Sequence, residues 1–123
     1  MGRSYDLEQR TQELGKQVFL LVKRVSVGIY TRNIIQQVLR SATSIAANYM
    51  EADVAESKKD FLHKIGICKK EAKETTYWLS ILALAEPALE TPCCEARQEA
   101  HELMLIFSSI VTRTRQNQGS LKV

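Results

Sequence analysis

Prolines occur only at 87 and 92 and glycines only at 2, 15, 28, 66 and 119, which leaves long uninterrupted stretches between the chain's breakers. No strand alternation of useful length appears, and no internal repeat. The three cysteines, Cys68, Cys93 and Cys94, are an odd number with two adjacent, which fits neither C-x-x-C metal spacing nor a secreted disulfide framework. The first ten residues, MGRSYDLEQR, hold no apolar core of a signal peptide, and no later run approaches the length of a membrane span. We therefore expect a cytoplasmic chain with reduced thiols and no membrane partner. Acid is missing from Leu14 to Met50, while Lys16, Lys23, Arg24, Arg32 and Arg40 all fall there. The overall charge of +3 is mild and argues only weakly for nucleic acid.

What is present is ordinary globular material. Hydrophobic residues make up 45% and charged residues 25% of 123 positions, which excludes wholesale disorder and suits a single domain, residues 1–123, with one modest core. Leu7, Leu14, Val18, Leu21 and Val25 carry helical spacing, predicting a helix over about 6–26 that Gly28 helps to terminate. Ile34, Val38, Ser41, Ile45, Tyr49 and Ala52 share one face of a second helix, about 31–53, with Thr31 as its expected N-cap. Ser57 followed by Asp60 resembles a capping box and opens a third, about 57–86. Thr91 as N-cap and Pro92 at the first helical position open a fourth, about 92–116, striped by Ala96, Ala100, Leu103, Phe107, Ile110 and Thr114. The tail 117–123 is expected to fray. Short connections between such helices imply an all-α, antiparallel, up-down-up-down four-helix bundle.

The third helix has three faces. At about 100° per residue, Phe61, Ile65, Cys68, Ala72, Thr75, Leu79 and Leu82 form one continuous seam. Ile67, Glu71, Glu74, Trp78, Ile81 and Ala85 form a second, and Lys58, Lys59, Lys69, Lys70 and Lys73 occupy the remainder. A helix of an isolated bundle needs one buried stripe, so the second seam means either a wide core or a contact with another subunit. Glu71 and Glu74 are not a di-iron site, because such a bundle needs Glu-x-x-His on two helices and this chain approximates it once, at Asp60 and His63. No Gly-rich elbow or phosphate loop is present, and Cys68 lies in the apolar seam, so no metal, cofactor or catalytic constellation is expected. The lysine face reads either as solvated surface or as a footprint for a phosphate backbone. Lacking any base-reading signature, the second alternative would bind RNA or DNA through the backbone alone.

The stretch RSATSIAANYMEA, residues 40–52, is unusual for a helix centre, because Ser, Thr and Asn compete there for backbone hydrogen bonds and Ala adds little bulk. Small residues let helix backbones approach closely. Arg40, Ser44, Asn48 and Glu51 recur at turn spacing and read as a polar seam packed on the third helix, where Glu71, Glu74 and the Trp78 indole supply partners.

Arg40, Ser44, Ile45, Asn48 and Glu51 match the pattern R-x-x-x-S-I-x-x-N-x-x-E, and Phe61, Glu71, Glu74, Tyr77 and Trp78 match the helix that follows. By these residues the chain, over roughly 7–114, resembles the four-helix bundle proteins first known from intervening sequences of bacterial 23S ribosomal RNA genes. Where many members carry N-I-A-E-G, this chain has Asn48-Tyr49-Met50-Glu51-Ala52 and so resembles an A-N-Y-x-E-A branch. The family is similar to the accessory protein of diversity-generating retroelements, a basic pentameric barrel that binds nucleic acid. The resemblance, with the second seam of the third helix, implies a homopentamer. It leaves molecular function open, and the lysine face together with the family's genomic associations points to a nonenzymatic nucleic-acid-binding or ribonucleoprotein accessory scaffold. The alternative is a protein-interaction hub with no nucleic-acid role.

Overall fold

The computed structural model describes residues 3–122, and side chains over residues 7–117. Helices α1 (Arg3–Val22), α2 (Arg32–Asp53), α3 (Lys58–Ala85) and α4 (Glu90–Lys122) follow one another, with a 3-10 turn at Pro87–Leu89 leading into α4. The described residues contain no strand. α1 packs on α2, α2 on α3 and α3 on α4, and α4 returns against α1 in the least extensive of these contacts. The architecture is the antiparallel four-helix bundle that the periodicity predicts.

The expected apolar stripes form the core, except at their ends, where Phe61, Ile110 and Thr114 are only half-buried. Leu7, Leu14, Val18 and Leu21 from α1, Ile34, Val38, Ile45 and Tyr49 from α2, Ile65, Leu79 and Leu82 from α3, and Leu103 and Phe107 from α4 are all buried. The buried hydroxyls are answered locally, as they must be away from water. Thr11 Oγ1 donates to the Glu8 carbonyl at 3.0 Å, and Ser41 Oγ to that of Val38 at 3.3 Å. Thr75 Oγ1 lies 2.7 Å from the Glu71 carbonyl oxygen and 2.9 Å from Ser41 Oγ, joining α3 to α2 inside the core.

The helix ends differ from expectation for identifiable reasons. α1 stops at Val22 instead of residue 26, because Arg24 and Val25 bond the carbonyls of Leu21 and Val22, three residues back, at 3.1 Å. Val25 stays buried, so the apolar spacing runs past the helix. Thr31 does not cap α2 with its side chain. Its Oγ1 instead donates to the Ser26 carbonyl at 2.7 Å and accepts the Gly28 N–H at 2.9 Å, locking the α1–α2 loop. Ser57 does cap α3, accepting the Asp60 N–H at 3.0 Å. α4 begins at Glu90, not at Pro92, because the 3-10 turn pinned by buried Leu89 delivers the chain already wound. Pro92 therefore lies within the first turn, where its missing N–H is not needed. At its far end α4 runs to Lys122, beyond the expected 116, while Val123 lies outside the described residues. Glu90 and Glu95 stand near its start and Arg113 and Arg115 near its end, the order that complements a helix dipole, while Arg97 lies among the acids.

Candidate nucleic-acid interface

α2 presents Arg40 to the flank of α3. Its Nη1 donates to Glu71 Oε1 at 3.1 Å and Oε2 at 3.3 Å, its Nη2 to Glu74 Oε2, and its Nε to Gln37 at 3.1 Å. The Trp78 indole N–H donates to the same Glu74 oxygen at 3.0 Å. Ser44 Oγ donates to Glu71 Oε2 at 3.4 Å, and the Asn48 amide donates to Ser44 Oγ and to the Ser44 carbonyl, both at 2.9 Å. Arg40, Ser44, Asn48, Glu71, Glu74 and Trp78 thus lie in one network. Glu51 does not join it and pairs with Lys64 at 2.6 Å. The second seam is half-buried, with Trp78, Ile81 and Ala85 packed against the core as Ile35 and Leu39 are. The chain itself covers part of that seam, and the part left exposed is open to a subunit contact.

The network perturbs its charges in a direction that makes pH a probe. The Trp78 indole N–H, then the Arg40 guanidinium, hold the Glu74 carboxyl below its ordinary pKa against the opposing effect of burial. Burial disfavours the Arg40 cation, but the bonds to Glu71 and Glu74 outweigh it and raise its pKa. A carboxyl with a lowered folded pKa adds stability above its unfolded pKa, and that stability is lost as pH falls through the folded value. Arg40→Gln is expected to cost about 1–2 kcal/mol at neutral pH, because it leaves Glu71 and Glu74 adjacent without their cation. The difference from wild type should shrink as acid protonates Glu74. Urea melts of both proteins from neutral pH to below the carboxylate range check this. A difference that grows on acidification would contradict it.

The outer face of α3 carries the lysines. Lys58, Lys59, Lys69, Lys70 and Lys73 are all exposed, and none forms an ion pair among the described residues. Lys70 is close enough to Glu74 to favour its carboxylate, so part of one charge is offset. Two further features belong to this surface. Tyr77, 56% exposed, follows Lys73 by one turn and stands edge-on to Trp78 with ring centroids 5.1 Å apart. Its four-residue step from Lys73 is the signal that points to it. Arg113 lines the same groove as Phe61, which brings the basic end of α4 to the end of the bundle where α3 begins with Lys58 and Lys59. His63 and His101 are both exposed, and no three of the described His, Cys, Asp and Glu residues group as metal ligands would. Cys68 and Cys93 are buried, and burial pushes the Cys68 thiol up to about 12, away from reactivity.

Fold and surfaces together define an all-α bundle with a polar α2–α3 seam and a cationic outer helix face. The family model for 23S rRNA-intervening sequence protein matches residues 3–109, and the chain belongs to that family. A protein with unknown function from the S23 ribosomal protein family of Bacteroides thetaiotaomicron VPI-5482, solved at 1.70 Å, has the same fold. It aligns with TM-score 0.77 and 28% identity over 90% of this chain and 99% of its own. No curated protein matches the chain.

Proposed function

We propose that the chain is a nonenzymatic accessory scaffold of the cytoplasm that binds RNA or DNA through the phosphate backbone and needs no cofactor. The observation that carries this reading is the row of lysines on α3, exposed and without ion pairs among the described residues. From Lys58 to Lys73 they extend over about 22 Å at 1.5 Å per residue, enough to track several phosphates. Exposed Tyr77 adds a ring on which a base can stack. Assembly into a homopentamer belongs to the same proposal. It is supported by the family likeness and by exposed apolar surface away from the α2–α3 seam, at Phe19, Leu20 and Met50. Sedimentation equilibrium tests it, and a clean monomer at micromolar concentration would overturn it.

Replacing Lys69, Lys70 and Lys73 together with Gln keeps helix propensity and leaves the Arg40 and Trp78 bonds to Glu71 and Glu74 in place. It removes only the weaker help of Lys70 to Glu74, so the fold should survive. Binding to generic RNA or DNA should weaken for all sequences alike, and the log-log salt dependence should become shallower by roughly one unit for each phosphate no longer neutralised. Fluorescence anisotropy across a salt series reads both. Unchanged affinity and slope would return the lysines to solvated surface and put the protein-hub reading ahead.

A further inference from the structure

The loop between α1 and α2 holds its apolar side chains outward. Val27 is 67% exposed, Ile29 90% and Tyr30 84%, the last two being the most exposed large hydrophobic residues described. The cause is not slack chain. Thr31, itself buried, ties the loop through the Gly28 N–H and the Ser26 carbonyl, and the Gly28 carbonyl accepts the N–H groups of Thr31 at 3.2 Å and Arg32 at 3.0 Å. The turn is fixed with its hydrophobic tip in water. Lys23, Arg24 and Arg32 flank it, all exposed and none in an ion pair among the described residues. Lys23 lies over the Phe19 ring, 5.8 Å from its centroid. No acid occurs along the chain between Leu14 and Met50, and the acids of the α3–α4 turn at the same end of the bundle are Glu86 and Glu90.

We propose that this loop is a peripheral anchor for an anionic lipid surface. An apolar tip above a ring of cations matches the layering of such a bilayer, with acyl chains beneath acidic headgroups. Each alternative leaves part of the tip unused. A phosphate backbone would satisfy the cations but gives Val27 and Ile29 nothing to bury against. The groove of about 650 Å³ at the opposite end of the bundle is lined by Arg10 and Arg113 against the single acid Asp53, with Arg10 held by Glu99 and Glu102, so it offers the collar of a second copy no net negative face. No described helix is long and apolar enough to cross a membrane. The expectation of no membrane partner rested on that missing span, and a surface tip needs none.

Co-sedimentation with vesicles of phosphatidylcholine containing phosphatidylglycerol, against phosphatidylcholine alone, tests the proposal. The wild type should bind the anionic vesicles and not the neutral ones. Ile29→Ser with Tyr30→Ser should weaken binding by about tenfold or more. Arg24→Gln with Arg32→Gln should weaken it by about fivefold per cation removed. All four positions are exposed, and unchanged circular dichroism confirms that the fold is intact. The triple Lys69, Lys70, Lys73→Gln protein should still bind, which separates this surface from the α3 face. Absence of binding by the wild type, equal binding to neutral vesicles, or retention by the Ile29/Tyr30 variant would each overturn the proposal. The first of these would assign the tip to a protein partner.

Discussion

Phe107→Ala is expected to cost about 3–5 kcal/mol of folding stability, a large share of the roughly 5–15 kcal/mol that holds a domain of this kind together. Phe107 heads the fully buried side chains in size, and its ring packs against Tyr49 with centroids 6.3 Å apart. It is also the last fully buried residue of the α4 stripe. Beyond it Ile110 and Val111 are only half-covered, so the void would open toward the groove lined by Tyr49, Ile106 and Ile110. The urea midpoint should fall by about 2 M if the slope keeps the usual value of ~1–3 kcal/mol per molar. A second reading comes from Tyr49, whose phenol burial pushes up to about 12 from 10.0. Water entering beside it should bring its ultraviolet titration back toward the ordinary value, provided the variant stays folded. A destabilisation near that of a surface substitution would show that α1 and α4 close over the site.

The helices and their buried faces were legible because proline and glycine are scarce enough for helical periodicity to run unbroken. Their ends were less so. Apolar spacing cannot tell a helix from a tight turn that still buries the next residue, which is why periodicity alone extends α1 over Val25. A threonine before an apolar stripe reads as a cap, yet Thr31 spends its hydroxyl on the loop behind it. In the seam, helical phase alone sets Arg40 and Ser44 opposite Glu71 and Glu74. Phase does not reveal that Glu51 stands one turn too far along to share those partners and meets Lys64 instead. The loop tip is hidden for another reason. Val27, Ile29 and Tyr30 read as a break between helices, and whether apolar loop residues tuck in or stand out depends on the tertiary hydrogen bonds of the turn.

Ala42→Leu tests the reading of RSATSIAANYMEA as a close-packing device, and it is expected to destabilise by about 1–3 kcal/mol although it adds only hydrophobic atoms. Ala42 is fully buried. Across from it a β-carbon built on Gly15 would lie 3.8 Å from the Ala42 carbonyl oxygen and 3.8 Å from Thr43 Cα, so α1 already rests on the α2 backbone. The neighbouring Ser41 is bonded to Thr75 on α3, which leaves α2 little freedom to roll away from the added bulk. Leucine there must leave its preferred rotamer or move a helix, and a packed interior resists both. Ala47→Leu, on the exposed side of the same helix, supplies the control and should change stability by no more than about 0.5 kcal/mol. Chemical denaturation of both variants decides the matter through the difference in midpoint at unchanged slope. Equal stability of the two would mean that α2 has room at Ala42, and the small residues would then need another explanation.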